Sequence, residues 1–237
     1  MKRIDLSVII PVKNEEALLE KSVLQFWNYF SKQDKIRNFE IILCENASED
    51  HTLILCRKIC RKLLNVSYIH ADKFGTALKN GILKAVFPYV YSNGLDNPFK
   101  YEDLEQMLSL CAKFDLIYAS KTHPQSVYRI NIFRKTATLM HSYLTKIFFK
   151  LPFSDTQGTI FMERKKILPL LPLCNSSGIF FQTQLALRGM YNRLRITSVP
   201  VHYTGLTRRS KFNIIVEGIK YIVEVLKEKY KIIHLSR

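Results

Sequence analysis

Short apolar, β-branched runs alternate with helically spaced stretches through the first half of the chain. This alternation limits the fold more than any other feature. Residues 6–12 read as a buried strand with Pro11 near its end. Residues 14–30 follow with helical spacing of Leu18, Leu19, Val23 and Phe26. Residues 39–43, 66–69, 89–91 and 116–119 read as further strands, and 50–64, 76–86 and 101–114 as the helices between them. Ser48 is placed to cap the second helix. Such alternation predicts an α/β fold, with a mostly parallel sheet and helices on both faces. Ligands of these sheets bind beyond the carboxyl ends of the strands. The polar or glycine-bearing stretches 11–16, 45–52, 72–75 and 92–98 follow those strands and mark the candidate site.

The second half is less regular. Residues 134–150 form an aromatic-rich amphipathic pattern, 159–162 an expected edge strand, 181–191 a helix, 195–201 a strand and 212–230 a long helix. There is no internal repeat or obvious linker. With 237 residues, 47% of them hydrophobic, one core and one domain are the simplest expectation.

Charge is distributed unevenly. The net charge is +16, yet the first half is nearly balanced. After Lys121 the only acids are Asp155, Glu163, Glu217, Glu224 and Glu228. A basic second half suits phosphorylated ligands or an anionic membrane. Nucleic acid is disfavoured, because no stacked aromatic and basic motif and no recognition-helix pattern is present. The five cysteines are scattered, which points to reduced thiols in a cytosolic setting. Cys56 and Cys60, one helical turn apart, read as core residues. The chain runs straight from Met1 into a strand, so no leader is expected. No apolar run approaches the roughly 18 residues needed to span a bilayer. Residues 212–230 combine Ile219, Ile222, Val223 and Leu226 with Lys220, Lys227 and Lys229. This helix is expected either to pack on the core or to lie on a membrane surface.

Four segments carry chemistry. The first is Ser7-Val8-Ile9-Ile10-Pro11-Val12-Lys13-Asn14-Glu15-Glu16, and the second is Glu45-Asn46-Ala47-Ser48-Glu49-Asp50-His51-Thr52. A carboxylate or amide after a strand can bond a nucleobase edge. The third, Lys73-Phe74-Gly75-Thr76-Ala77-Leu78, puts a glycine and a lysine at a helix start, where anions are favoured. Together these three resemble the family-2 glycosyltransferases. The fourth, Leu151-Pro152-Phe153-Ser154-Asp155-Thr156-Gln157-Gly158-Thr159, resembles the Leu-Pro-x-x-Asp-Thr-Gln-x-Gly stretch of dolichyl-phosphate mannose and glucose transferases, with Thr159 in the place of the later glycine. Lys121, Arg134-Lys135, Val199-Pro200-Val201 and Arg209-Ser210-Lys211 match further positions, so the resemblance runs from Ile4 to about Lys227.

The resemblance implies a GT-A, Rossmann-like domain over residues 1–210 and an amphipathic, membrane-facing helix over 211–237. It implies hexosyl transfer from a UDP- or GDP-sugar to a polyprenyl or dolichyl phosphate, by a peripheral protein at the cytoplasmic face of a membrane. The nucleotide sugar is then expected at Pro11, Val12, Asn14, Glu15, Glu45, Asn46, Ser48, Lys73, Gly75, Ser92, Asn93, Gly94 and Gln157. The acceptor phosphate is expected at Lys121, Arg129, Arg134, Ser210 and Lys211, with Arg134, Lys211 and Asp155 closest to the chemistry. Such an acceptor is already an anion and needs no strong base. Two anions must be brought together and the leaving diphosphate stabilised, a task for Lys and Arg.

Acids are missing where the resemblance calls for them. The family's metal-binding Asp-x-Asp, which holds Mg²⁺ or Mn²⁺ against the diphosphate, aligns with Ser92-Asn93-Gly94, and Asp96 falls at a later position. Asn46, Gln182 and Gln184 also stand where acids are common. Three readings remain open: a weaker metal site at Asp96, metal-independent transfer, or a non-catalytic relative that binds a ligand or partner within a glycosylation pathway.

Overall fold

A computed structural model describes residues 3–96, 100–128, 132–151, 155–203 and 214–235. Seven strands form the main sheet: β1 (Ile4–Val12), β2 (Ile36–Asn46), β3 (Val66–Ala71), β4 (Tyr89–Ser92), β5 (Leu116–Ser120), β7 (Ile160–Glu163) and β8 (Ile196–Pro200). Their order is β3-β2-β1-β4-β7-β5-β8. Side chains alternate across each strand, so both faces must be covered. Leu6, Val8 and Ile10 face one core with Ile41 and Leu43, whereas Ile9, Ile42 and Cys44 face the other.

Helices α1 (Leu19–Ser31), α2 (Thr52–Lys62) and α4 (Lys100–Leu110) cover the first face through Phe26, Phe30, Ile59 and Met107. Helices α3 (Phe74–Lys84), α5 (Ile132–Phe149) and α7 (Phe180–Tyr191) cover the second, joined by α8 (Ile214–Leu235) through Tyr221 and Val225. A short helix α6 (Arg164–Ile167) runs into a 3₁₀ turn, Leu168–Leu173. Strands β6 (Val127–Tyr128) and β9 (His202–Tyr203) form a separate parallel pair. The α3 helix packs close to β1 and β2 because Gly81 lacks a Cβ. One added there would fall 2.5 Å from Cys44 Sγ.

Two expectations are corrected. Residues 159–162 do not form an edge strand: β7 lies between β4 and β5, antiparallel to both. Ile160, Phe161 and Met162 are all buried, as a short unbroken apolar run requires when both faces are covered. The first helix begins at Leu19 rather than Asn14, because Asn14 takes a left-handed φ of 52° and the chain turns there.

Candidate active site

Parallel pairing places Val12 opposite Glu45, so the carboxyl ends of β1 and β2 lie side by side. Both chains then turn sharply, at Asn14 (φ 52°) and Ala47 (φ 51°). The two loops clamp each other. The backbone N–H groups of Asn14, Glu15 and Glu16 donate to Ser48 Oγ (3.0 Å), Thr52 Oγ1 (2.7 Å) and Asp50 Oδ2 (3.2 Å). In return, Glu49 N donates to Asn14 Oδ1 (2.8 Å) and His51 N to Glu16 Oε2 (3.0 Å). The Ser-x-Asp-x-Thr spacing is therefore a clasp between loops. Ser48 does not cap α2, because its hydroxyl oxygen accepts from Asn14. Asp50 Oδ1 accepts from Thr52 N (2.9 Å) at the helix start instead.

Glu45 is buried. One carboxylate oxygen accepts from Ser48 N (2.6 Å) and the other meets His70 Nδ1 on β3. Both oxygens are engaged within the protein, so Glu45 shapes the loop. Asn46, also buried, ends β2 beside it.

The tip of β4 completes this wall, with Ser92 in register with Ile9 on one side and Ile160 on the other. Asn93 N donates to Ile9 O (3.1 Å). Asn93 Oδ1 accepts from Gly94 N (2.9 Å) and Thr159 Oγ1 (2.7 Å). Those two donors engage the side-chain carbonyl, and no carboxylate stands at residues 92–94. Asp96 is exposed and lines a cleft of about 480 Å³ with Ser22, Gln25, Phe26, Asn28 and Tyr101, between α1 and α4. Among the described residues no three His, Cys, Asp or Glu side chains gather as metal ligands. A divalent ion at this tip would find no carboxylate at residues 92–94 and would depend on Asp96 and on the oxygens of a bound diphosphate.

Across Thr159 the wall continues to a fixed cation. Asp155, 1% exposed, accepts from Lys121 N (2.8 Å) and Gln157 N (3.2 Å). Lys121 Nζ lies 3.2 Å from Asp155 Oδ2 and donates to Gln157 O (3.3 Å). The ammonium at the end of β5 is thus held by a buried carboxylate and a carbonyl. The Gln157 side chain turns away from this point and donates to Ile179 O (3.1 Å) and Thr183 Oγ1 (3.3 Å) on the α7 side.

The two glutamines on α7 have structural partners that sequence reasoning missed. Gln182 Nε2 donates to Gly158 O (2.8 Å), and its Oε1 accepts from Gly158 N (3.4 Å). Gln184 Oε1 accepts from Ser176 N (2.8 Å), and its Nε2 donates to Glu228 Oε2 (2.9 Å). Glu228 in turn pairs with Arg188. A carboxylate at 184 would face another carboxylate, and one at 182 would face a carbonyl. The amides thus match their neighbours within the protein. Glu228 lies on α8, far along the chain, and no local pattern links it to Gln184.

Beneath Asp155 lies a buried hydroxyl cluster. Thr156 Oγ1 meets Thr183 Oγ1 (2.7 Å), and Tyr221 OH meets both Thr183 Oγ1 (2.9 Å) and Thr145 Oγ1 (3.1 Å). His141 packs its ring 4.3 Å from that of Tyr221. Burial pushes the His141 imidazole down to about 4, with Lys121 adding to the effect and Asp155 opposing it.

Gly75 is needed for close approach, but to the protein itself. Its N–H donates to Ser177 O (2.8 Å), and an added Cβ would lie 2.5 Å from Gly178 O. Lys73 stands exposed just before α3. Pro11 and Val12 end β1, and Val12 is buried. Arg129, Ser210 and Lys211 lie outside the described residues. Arg134 falls in the first turn of α5, and its side chain is also outside the description.

Comparison with known proteins agrees with this architecture. The profile of Glycosyl transferase family 2 matches residues 7–169. A dolichyl-phosphate beta-glucosyltransferase of Saccharomyces cerevisiae is 23% identical over 92% of this chain and 72% of its own. Glucosyl-3-phosphoglycerate synthase of Mycobacterium tuberculosis, solved with Mn²⁺, uridine diphosphate and phosphoglyceric acid, superposes with a TM-score of 0.69 at 17% identity, over 95% of this chain and 78% of that one. The same enzyme with Mg²⁺ and uridine diphosphate gives 0.68 at 17% identity, over 95% and 79%. These structures share the GT-A fold with this chain. The match over more than half its length, on a sheet whose strand ends carry the clasp and the held lysine, shows that the chain belongs to glycosyl transferase family 2.

Proposed function

We propose that this glycosyltransferase moves a hexose from a UDP- or GDP-sugar to a polyprenyl or dolichyl phosphate. The observation that carries the reading is the wall from Asn93 through Thr159 to the Asp155-held ammonium of Lys121. A fixed cation stands at the end of β5, one strand beyond β7 from the tip of β4, on the edge of the sheet where a diphosphate needs charge compensation. Asp155 holds Lys121 in place, and no strong base is required, since a phosphate acceptor is already an anion at neutral pH. The loops after β1 and β2 take the nucleoside. Arg129, Arg134, Ser210 and Lys211 take the acceptor phosphate. The likeness to the yeast dolichyl-phosphate enzyme supports a lipid-borne acceptor. Among the described residues no helix is long and apolar enough to cross a membrane. A peripheral position at the cytoplasmic face suits a water-soluble donor and a lipid acceptor.

The test is transfer of radiolabelled sugar from UDP-glucose and GDP-mannose into dolichyl phosphate in detergent, with Mg²⁺, Mn²⁺ or EDTA. Label is expected in lipid from one donor and persists in EDTA. Lys121→Ala lowers that transfer by about 100-fold or more, the scale of losing one preorganised electrostatic partner. A second reading is a family member that binds its donor without turnover. It is favoured by the tip of β4, where residues 92–94 carry no carboxylate and Asn93 Oδ1 is occupied by Gly94 N and Thr159 Oγ1. Calorimetric donor binding, with no label in lipid under any metal condition, selects that second reading and overturns the first.

A further inference from the structure

We propose that Ser126 is a positioning residue, whose hydroxyl fixes the turn carrying Lys121 against the strand that leads to the second basic segment. Pairing of β5 with β8 ends at Ser120 opposite Pro200, and pairing of β6 with β9 begins at Val127 opposite His202. Between these rungs one strand advances by Val201 alone, whereas the other makes the turn 121–126. That extra length carries Lys121 at its start and Ser126 at its close. Ser126 Oγ donates to Ser120 O (2.6 Å) and accepts from Val201 N (2.9 Å). One hydroxyl thus joins the two ends of the turn and pins them to the neighbouring strand. Inside the turn, His123 N donates to Ser120 O (3.3 Å), Ser126 N to His123 O (2.9 Å) and Gln125 N to His123 Nδ1 (3.2 Å). Val127 N then donates to Val201 O (2.9 Å) and starts the β6–β9 pair.

The turn is held at both ends. At its start Lys121 N donates to Asp155 Oδ2 (2.8 Å), and the ammonium lies 3.2 Å from the same oxygen. Ser126 holds the close. Val201 is fully buried, so its N–H would find no water in place of a lost hydroxyl. The mouth of the turn would then open, and Lys121 would shift along the wall. Preorganised charge stabilises phosphate only while its position is held, so a small shift is costly. The same hydroxyl acts beyond the turn. It sets Tyr128 opposite Tyr203, from which the chain continues to Arg129 on one strand and to Arg209-Ser210-Lys211 on the other. The two stretches expected to meet the acceptor phosphate are therefore entered from neighbouring points. No local pattern announces this role, because Val201 lies 75 residues from Ser126. The proposal rests on the reading of Lys121 as the cation that meets phosphate, and the experiment separates the two.

The experiment uses the full chain and scores binding, not sugar transfer. Hydrogen exchange is followed at the Val127 and Val201 amides, and calorimetric Kd values are measured for farnesyl phosphate, UDP-glucose and GDP-mannose. Ser126→Ala is expected to speed exchange at both amides by about tenfold or more. It is also expected to weaken, by about tenfold, whichever of these ligands loses affinity in Lys121→Ala. In the Lys121→Ala background Ser126→Ala should add little, because it acts through the lysine. Ser126→Thr keeps the hydroxyl and should restore most of both readouts. Should Ser126→Ala fail to fold, Ser126→Cys, a weak donor and acceptor, takes its place. Wild-type exchange rates in the folded variant, or wild-type affinity despite faster exchange, overturn the proposal. So do losses from Ser126→Ala and Lys121→Ala that simply add, which make Ser126 a structural tie alone. If Lys121→Ala itself changes no affinity, the reading of Lys121 falls, and the proposal falls with it.

Discussion

The clasp between the β1 and β2 loops and the buried cluster between α7 and α8 solve the same problem in different ways. In the clasp, side-chain oxygens accept from backbone N–H groups at half-buried or exposed positions, so charge is tolerated and water can replace a lost partner. In the cluster, side chains meet side chains out of reach of water, so each donor must find an acceptor. Substitutions of equal size should therefore cost little in the first region and much in the second.

The largest effect is expected at Gln184. Gln184→Glu removes the amide donor and sets a second carboxylate against Glu228, which is buried and already paired with Arg188. An uncompensated buried charge costs about 3–5 kcal/mol, read as a lower urea midpoint at pH 7. The deficit should shrink as pH falls into the carboxylate range, because the introduced carboxyl, once protonated, can donate. Adding Glu228→Gln to this variant swaps donor and acceptor and should restore much of the loss. If the double variant is no better than the single one, the two residues are not coupled and the comparison fails.

His141 gives the next effect, read by pH. Its folded value is lowered to about 4 from the ordinary 6.5. The unfolded chain therefore binds the proton more readily between those values. Stability from the neutral imidazole is fully present above pH 6.5 and is lost as pH falls toward 4, by up to about 3 kcal/mol. His141→Phe should flatten the stability profile across this window. Asp115 cannot mimic the effect, because its hydrogen bonds to Arg195 hold its carboxyl below the usual range, and its contribution is lost only at lower pH. An unchanged slope in the His141 variant would place the titration elsewhere.

The same contrast explains what the sequence made legible. The strands and helices of the first half, the covering of both sheet faces and the segments around Asn14, Ser48 and Asp155 follow from local pattern, because apolar period and turn chemistry act over a few residues. The place of β7 was not legible, since a four-residue apolar run does not say which strands will flank it. The partners of Gln182 and Gln184 were not legible for a related reason. Their partners, Gly158 and Glu228, lie 24 and 44 residues away, and only the folded chain brings them together. Gly75 was legible as a glycine at a helix start, but not the approach of Ser177–Gly178 to it. The packing of α8 was half legible: its sequence shows an apolar stripe but not that Tyr221, Val225 and Glu228 turn inward.

The smallest stability effect belongs to the clasp, and it sharpens the comparison from the other side. Ser48→Ala removes the acceptor of the Asn14 N–H, a 3.0 Å bond at a half-buried position. Water can take the vacated place, so the cost in urea unfolding should be about 1 kcal/mol or less, with no dependence on pH. Donor binding should respond more strongly. Asn14, with its left-handed backbone, sets the direction in which the β1 loop leaves the sheet, and that loop is the proposed nucleoside wall. A calorimetric Kd for the nucleotide sugar weakened by about tenfold, corresponding to about 1.4 kcal/mol, would exceed the stability change. It would mark the clasp as a device for positioning the donor. A Kd that stays at the wild-type value would reduce it to a loop tie, and the nucleoside would then have to be sought at Asn46 and Ser92.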